Sequence, residues 1–302
     1  MHCDNGYVEI SQWEPHCWIN VECPDHEDVR FLIDDMKMPA DFLDSIADVD
    51  ENSRFDHDRE WQMIILRIPC KTSKGRAPYV TVPIGIIWTQ EILITVCYHK
   101  TELIDDFIEY THRRETQITS QADFVFRLLY SSCYWYLRYL KEMNHAYAKA
   151  TSQLKLSVRN DDLMILQQLQ TSLVYFSTSL KGNATLVERL KHVFDNEYDP
   201  DLVDDVEIDL HQADNTVSIY MDILDSTLDT YASIISNNVN DIMKKMTGIS
   251  IVLMMPTLVA SFYGMNVTIQ GASAPWAFWA IAGGSLAISL ILYLVLRHFR
   301  WL

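Results

Sequence analysis

Asp229, Ser233, Ser236, Asn240, Met243, Thr247, Ser250, Met254, Thr257 and Ser261 recur at alternating steps of four and three. That rhythm puts all ten on one edge of a helix. The edge presents neutral oxygens from hydroxyls and an amide, two thioethers, and one carboxylate at its end. It runs into a stretch, Met246 to Leu296, that has no Asp, Glu, Lys, Arg or His. A hydroxyl facing lipid without a partner is costly, so such an edge points at protein or at water. Ser and Thr also bond back to their own helix or mediate close packing. Back-bonding explains two or three such positions more readily than ten in one register. One chain with two spans encloses no water-filled path, whereas several copies around an axis do, each supplying a lining helix. The chemistry is that of a water-filled path. Met243, Met254 and the neighbouring Met246 would form soft, unhydrated constrictions able to act as a gate.

A second pattern precedes the first. Between Lys191 and Lys244 there is no Lys or Arg, while Asp and Glu from Asp195 to Asp229 number twelve. A run of this kind is usually a solvated face. If copies of one helix pack in parallel, however, like charges crowd the axis and repel. Divalent cations held between the carboxylates would relieve that repulsion and keep the assembly closed. A third group, His2, Cys3, His16, Cys17, Cys23 and His26, could form a soft-metal site, but its spacing matches no zinc motif and core thiols with surface histidines explain it better. No phosphate loop, nucleophile elbow or zinc-protease motif is present, so nothing recommends an enzyme.

The elements that must position these residues follow from periodicity. Residues 1–115 alternate strand and helix signals, with strand runs at Cys17–Val21, Trp61–Ile68, Tyr79–Trp88 and Ile92–Tyr98 and helical spacing at Asp25–Lys37 and Thr101–Arg113. This is an α/β cytoplasmic domain with a mixed or antiparallel sheet, lacking the glycine-rich turn of a dinucleotide fold. Residues 116–200 are helical: Gln121–Val158, then Asp161–Lys181, a break at Gly182-Asn183, and a shorter helix ending near Phe194. Pro200 opens the last long helix, which has no Gly or Pro from Asp201 to Thr247. At about 1.5 Å per residue, sixty residues make a rod of roughly 90 Å. Its apolar positions Val217, Met221, Leu224, Leu228, Tyr231, Ile235 and Ile242, with Asn238 in the missing slot, have heptad spacing.

Residues 201–265 are therefore a stalk continuing into a first span, 266–275 an outer loop, and 276–302 a second span with a short tail. A span needs about 20 residues. Lys244 and Lys245 precede the first, Arg297 and Arg300 follow the second, and Val267 to Pro275 has no basic residue. Both termini are expected in the cytoplasm of an inner or plasma membrane, with Tyr263, Trp276 and Trp279 at the opposite interface. The 302 residues carry a formal charge of −17, from 41 acidic against 24 basic side chains. That balance argues against a nucleic-acid partner and favours cations. Six cysteines without paired spacing read as reduced thiols. The start, His2-Cys3-Asp4, is not a cleavable signal peptide.

Tyr263-Gly264-Met265-Asn266 follows a proline-interrupted span and precedes a second span and a terminal Trp301-Leu302. This arrangement resembles the CorA family of magnesium transporters. The resemblance implies a funnel-shaped homo-pentamer in a lipid bilayer whose pore is lined by the first span, with no cofactor and with Mg²⁺ as transported and regulatory ion. Gly264, Met265 and Asn266 would form the outer filter, the Asn266 amide oxygen and the Gly264 carbonyl meeting the arriving ion. Mg²⁺ releases its waters reluctantly, so a ring of neutral oxygens suits the hydrated ion. The family's inner rings fall on Thr257, Met254, Met246, Asn240 and Asp229, and its stalk regulatory carboxylate on Asp205.

Three departures stand out. The loop after the signature, Val267 to Ala274, has no acid. The family's second regulatory motif falls on Leu43-Asp44-Ser45-Ile46 with Ser45 in place of an Asp, leaving Asp44 or Asp48 as substitutes. Met255-Pro256 places its proline one residue late. Rival readings are movement of zinc, cobalt or nickel through the same scaffold, or a membrane-anchored metal sensor without flux.

Overall fold

The computed structural model describes residues 2–3, 7–8, 10, 14–72, 75, 77–114, 118–156, 159–195, 197–265, 276–299 and 301. Two short strands, β1 (His2–Cys3) and β2 (Tyr7–Val8), pair antiparallel. A five-stranded sheet then forms from β3 (Cys17–Glu22), β4 (Arg54–Asp58), β5 (Trp61–Lys71), β6 (Tyr79–Trp88) and β7 (Ile92–Cys97), in the order β3-β7-β6-β5-β4. Only β3 and β7 run parallel, so the sheet is mixed. β5, β6 and β7 are buried almost end to end. A continuous Val/Ile-rich run is what a strand covered on both faces requires.

One face is closed by α1 (His26–Arg30), a wider turn over Phe31–Asp35, and α2 (Ala40–Ala47). Asp25 caps α1, its side chain accepting from the Glu27 and Asp28 backbone N–H groups. Leu32, Phe42, Leu43 and Ile46 join Met63, Ile65, Ile87 and Ile94 in one core. Close approach is enforced at Gly85, where an added Cβ would overlap the Ile46 side chain. The other face is covered by long helices. α3 (Glu102–Arg113) is capped by Thr101, and α4 (Gln121–Leu156) and α5 (Asn160–Val193) follow it. Trp18 meets Phe124 edge-on at 5.0 Å, and Tyr136 meets Phe176 at 4.9 Å.

α5 does not break at Gly182-Asn183, as expected from its sequence, but runs through both residues. The reason is tertiary. The Asn183 side chain is buried and bonded to β5, not turned to cap a helix end. α2 shows one apolar stripe, Phe42, Leu43 and Ile46, over only eight residues, and β4 has no apolar alternation. β4 reads Arg-Phe-Asp-His-Asp, a charged strand at the sheet edge.

α6 is a single helix from Pro200 to Tyr263, and α7 spans Ala277–His298. Packing divides the chain into two compact units, Met1–Ser226 and Thr227–Leu302. In the first, α6 buries Val203, Val206, Leu210, Val217 and Leu224. In the second, α6 and α7 are each long and apolar enough to cross a membrane.

Candidate functional site

The polar edge of α6 is open. Asp229, Ser233, Ser236, Asn240, Met243, Met246, Thr247, Ser250, Met254, Thr257 and Ser261 are all exposed. Of the other positions of the same turns, Gly248 is buried and Ile251, Val252, Met255, Pro256 and Val259 are half-buried, whereas the apolar Ile249, Leu253, Leu258 and Phe262 are exposed as well. On α7 the buried positions are Ala277, Ser285 and Ser289. Small residues at covered positions are what close helix packing in lipid selects.

The hydroxyls of the two helices behave differently. Ser285 and Ser289 donate to the Ala282 and Ser285 carbonyls at 2.9 and 3.1 Å. On the α6 edge, among the described residues, only Thr257 bonds back, donating to the Leu253 carbonyl at a long 3.4 Å. Pro256 sits inside α6 and has no N–H for the Val252 carbonyl one turn earlier.

The heptad positions Val217, Leu224 and Tyr231 are buried as their spacing predicts. Beyond Tyr231 the pattern loses its cover. Residues 232–247 are exposed on every side, including Ile234, Ile235, Val239 and Ile242. Nine of these sixteen residues are polar, but β-branched side chains such as Ile234, Ile235, Val239 and Ile242 normally pack against a neighbouring element.

At the end of α6, the Gly264 N–H donates to the Ala260 carbonyl at 2.9 Å, and Met265 donates to Phe262 at 3.4 Å. A Cβ on Gly264 would lie 3.3 Å from the Ala260 carbonyl oxygen, so this turn favours glycine. Met265 is exposed. Asn266 lies outside the described residues.

The three carboxylates expected to be regulatory sit on different elements, Asp205 on α6 and Asp44 and Asp48 on and just after α2. Asp205, on α6, lines a cavity of about 560 Å³ with α3 and α4 residues. Asp44 and Asp48 are exposed at the end of α2. Ser45, between them, donates to the Asp41 carbonyl and accepts from Arg54 Nη2. The loop after Asp48 is fixed from beneath by buried Arg67, whose Nη1 donates to the Val49 and Glu51 carbonyls, each at 2.7 Å. Among the described residues no three His, Cys, Asp or Glu side chains converge on a metal position. Of the soft-metal group, Cys17 belongs to the core while Cys23 is exposed.

The cavity beside Asp205 was not anticipated from periodicity. Its signal was compositional: the consecutive pair Arg113-Arg114 at the end of an amphipathic helix, in a strongly acidic chain.

The family model described as CorA-like Mg2+ transporter protein matches residues 13–298. The chain belongs to the CorA family. It is similar to the cobalt/magnesium transport protein CorA of Methanocaldococcus jannaschii, with 22% identity over 292 residues, covering 94% of this chain and 91% of that one. A shorter likeness, 30% identity over 92 residues, links it to the CorA of Thermotoga maritima and covers 30% of this chain and 26% of that one. The complete structure of the M. jannaschii CorA magnesium transporter superposes with a TM-score of 0.79 at 22% identity, covering 98% of this chain and 95% of that chain. An N-terminal α/β domain, a long helix and two C-terminal apolar helices are thus the CorA architecture carried by this sequence.

Proposed function

We propose that this CorA-family chain is the subunit of a homo-pentameric, funnel-shaped Mg²⁺ channel that admits hydrated ions under the membrane potential. The observation that carries the reading is the uncovered polar edge from Asp229 to Ser261, which continues without a gap into a charge-free span. Its hydroxyls and amide suit the hydration shell of the ion, and Met243, Met246 and Met254 narrow the path. The all-round exposure of residues 232–247 supports several copies packed about this segment. Moving a divalent ion into a negative cell gains about 4.6 kcal/mol per 100 mV, so the potential alone can drive the flux.

Gly264, Met265 and Asn266 act as the outer filter, and both termini lie in the cytoplasm. Asp205 of one subunit holds a regulatory Mg²⁺ with Asp44 or Asp48 of the next. The assembly loosens when that ion leaves.

Reconstituted into liposomes with an imposed inside-negative potential, the protein is expected to admit Mg²⁺, and Asn266→Ala to abolish uptake while the oligomer persists. A wild-type protein that assembles but passes no Mg²⁺ would overturn the reading in favour of a tethered sensor. Competition by Zn²⁺, Co²⁺ and Ni²⁺ at fixed pH ranks the cargo.

A further inference from the structure

The cavity beside Asp205 is lined by groups of both signs, with Asp106 of α3 a second carboxylate among them. α3 and α4 supply Arg113 and Arg114 together with the rings of Tyr110, Tyr130 and Tyr134, and α6 supplies Asp205. The three tyrosines are 42%, 36% and 53% exposed, on helices whose other large rings are mostly buried. Arg127, also lining the cavity, is already neutralised by Asp123 at 2.6 Å. Arg114 lies over the Tyr110 ring at 5.2 Å, and among the described residues it has no carboxylate partner. Among the described residues Arg113 reaches only Glu109, at 3.5 Å, with both side chains largely in solvent. Two guanidinium groups are thus available in a chain of formal charge −17.

Of the two carboxylates lining the cavity, Asp106 accepts from Trp135 Nε1 at 3.2 Å, and Asp205 comes from α6. Asp209 stands one turn from Asp205 on α6, and burial, followed by the Asp205 charge, raises its carboxyl above the usual range. The Tyr130 hydroxyl is also raised, by burial first and then by Asp209, Tyr110 and Asp205. The carboxylates therefore face the same aromatic group that the arginines flank.

A simple anion would meet Asp106 and Asp205, and a simple cation would meet Arg113 and Arg114. A ligand carrying both signs satisfies both. Arginine forks recognise phosphate oxygens, carboxylates hold Mg²⁺ that keeps its bond to phosphate, and tyrosine faces stack on a planar base. A volume of about 560 Å³ lies within the range of small-molecule and cofactor sites, roughly 300 to 1,000 Å³. We propose that this cavity binds a nucleoside polyphosphate with its divalent cation, so that the cytoplasmic domain reads magnesium in its nucleotide-bound form as well as the free ion. The proposal does not depend on conduction, because binding is measured without flux.

The test is calorimetric titration of the full-length protein in detergent with MgATP at fixed free Mg²⁺. Saturable binding is expected in wild type, weakened at least tenfold by Arg113→Ala/Arg114→Ala and at least threefold by Tyr110→Ala. Asp106→Asn, at the lining carboxylate with no part in the regulatory site proposed above, is expected to weaken MgATP while leaving metal-free ATP within twofold. Inorganic triphosphate is expected to bind more weakly than ATP, because it has no base to stack. No saturable MgATP heat in wild type, or equal affinity in Arg113→Ala/Arg114→Ala, would overturn the proposal. So would triphosphate binding as tightly as ATP, or glutamate, a zwitterion without phosphate, competing at equal concentration. Should the double variant misfold, Tyr134→Phe and Tyr134→Ala carry the same decision: stacking predicts that Phe retains the wild-type affinity and Ala loses it.

Discussion

Asn183 on α5 grips the backbone of Arg67 on β5 by both peptide groups. Its Oδ1 accepts from the Arg67 N–H at 3.2 Å, and its Nδ2 donates to the Arg67 carbonyl at 2.8 Å. Ser53 donates to the same Oδ1 at 2.7 Å. The geometry follows from sheet register. β4 pairs with β5 only as far as Arg54 opposite Ile65, so the Arg67 N–H and carbonyl, on the same side of β5, lie beyond the last β4 partner. A buried strand edge is left open, and one amide side chain closes it as a peptide would.

Replacing Asn183 with Ala strands a buried N–H. The Arg67 carbonyl loses a donor but keeps the Tyr136 hydroxyl at 2.9 Å. An unpaired buried polar group costs about 1–3 kcal/mol, so Asn183→Ala is expected to destabilise by about 2–3 kcal/mol in thermal or denaturant unfolding of the full chain. Thr185→Ala, two positions on and bonded only to its own helix at Lys181, is expected to stay within about 0.5 kcal/mol. Equal effects for the two would refute the ladder role.

Gly85 and Ile46 form the second tested pair. The Cβ of Gly85→Ala falls on the Ile46 side chain, which is fully buried and cannot swing into solvent. Overpacking of this kind costs about 1–3 kcal/mol, and Ile46→Ala alone about 2–5 kcal/mol. Because one change makes the space that the other needs, the double variant is expected to lose at least about 1 kcal/mol less than the sum. A double-mutant cycle by chemical denaturation measures this. Strict additivity would mean that the contact carries no strain.

Cysteine chemistry supplies a pH-dependent check on burial. Removal from water pushes the Cys97 thiol up to about 12, although a backbone hydrogen bond with His99 works in the opposite direction. The reactive species is the thiolate. At pH 8 its population at Cys97 is therefore about one in 10⁴, and it rises about tenfold per pH unit until the folded value is reached. Cys23 is exposed whereas Cys17, Cys70, Cys97 and Cys133 are buried. Mass spectrometry after brief iodoacetamide treatment of native protein at pH 8 is expected to find Cys23 modified first and those four protected. Early labelling of Cys97 would contradict the packing of β7.

The parts legible in the sequence were those that repeat. The strands at Trp61–Lys71 and Tyr79–Trp88 and the helices α3, α4 and α6 announce themselves by apolar runs or helical spacing. The edge of α6 is legible for the same reason. Asn183 was misread because the local signal of Gly182-Asn183 is a helix end, while its partner lies 116 residues away. β4 was missed because an exposed edge strand needs no apolar alternation, and α2 because eight residues show too little of a period. The basic and aromatic cavity is a convergence of α3, α4 and α6 that no single stretch encodes.

The orientation of the α6 edge decides the conduction reading. If Thr247, Ser250, Thr257 and Ser261 face water at an axis, single cysteines there meet aqueous reagents. Leu286 and Leu290 on α7 are equally uncovered in the single chain, while the adjacent Ser285 and Ser289 are buried and bonded to their own helix, and the surroundings of the two leucines would be acyl chains, which exclude charged reagents. In a background lacking the exposed Cys23, membrane-impermeant methanethiosulfonate applied to proteoliposomes is expected to modify Thr257→Cys and Ser261→Cys and to reduce Mg²⁺ uptake by at least fivefold. Leu286→Cys and Leu290→Cys are expected to remain unmodified with uptake unchanged. Mg²⁺ in excess should slow the reaction at Ser261→Cys, because an ion in the path competes for the same water. Protection of all four α6 positions together with labelling of α7 would reverse the assignment of the two helices, and the lining would then belong to Ser285 and Ser289.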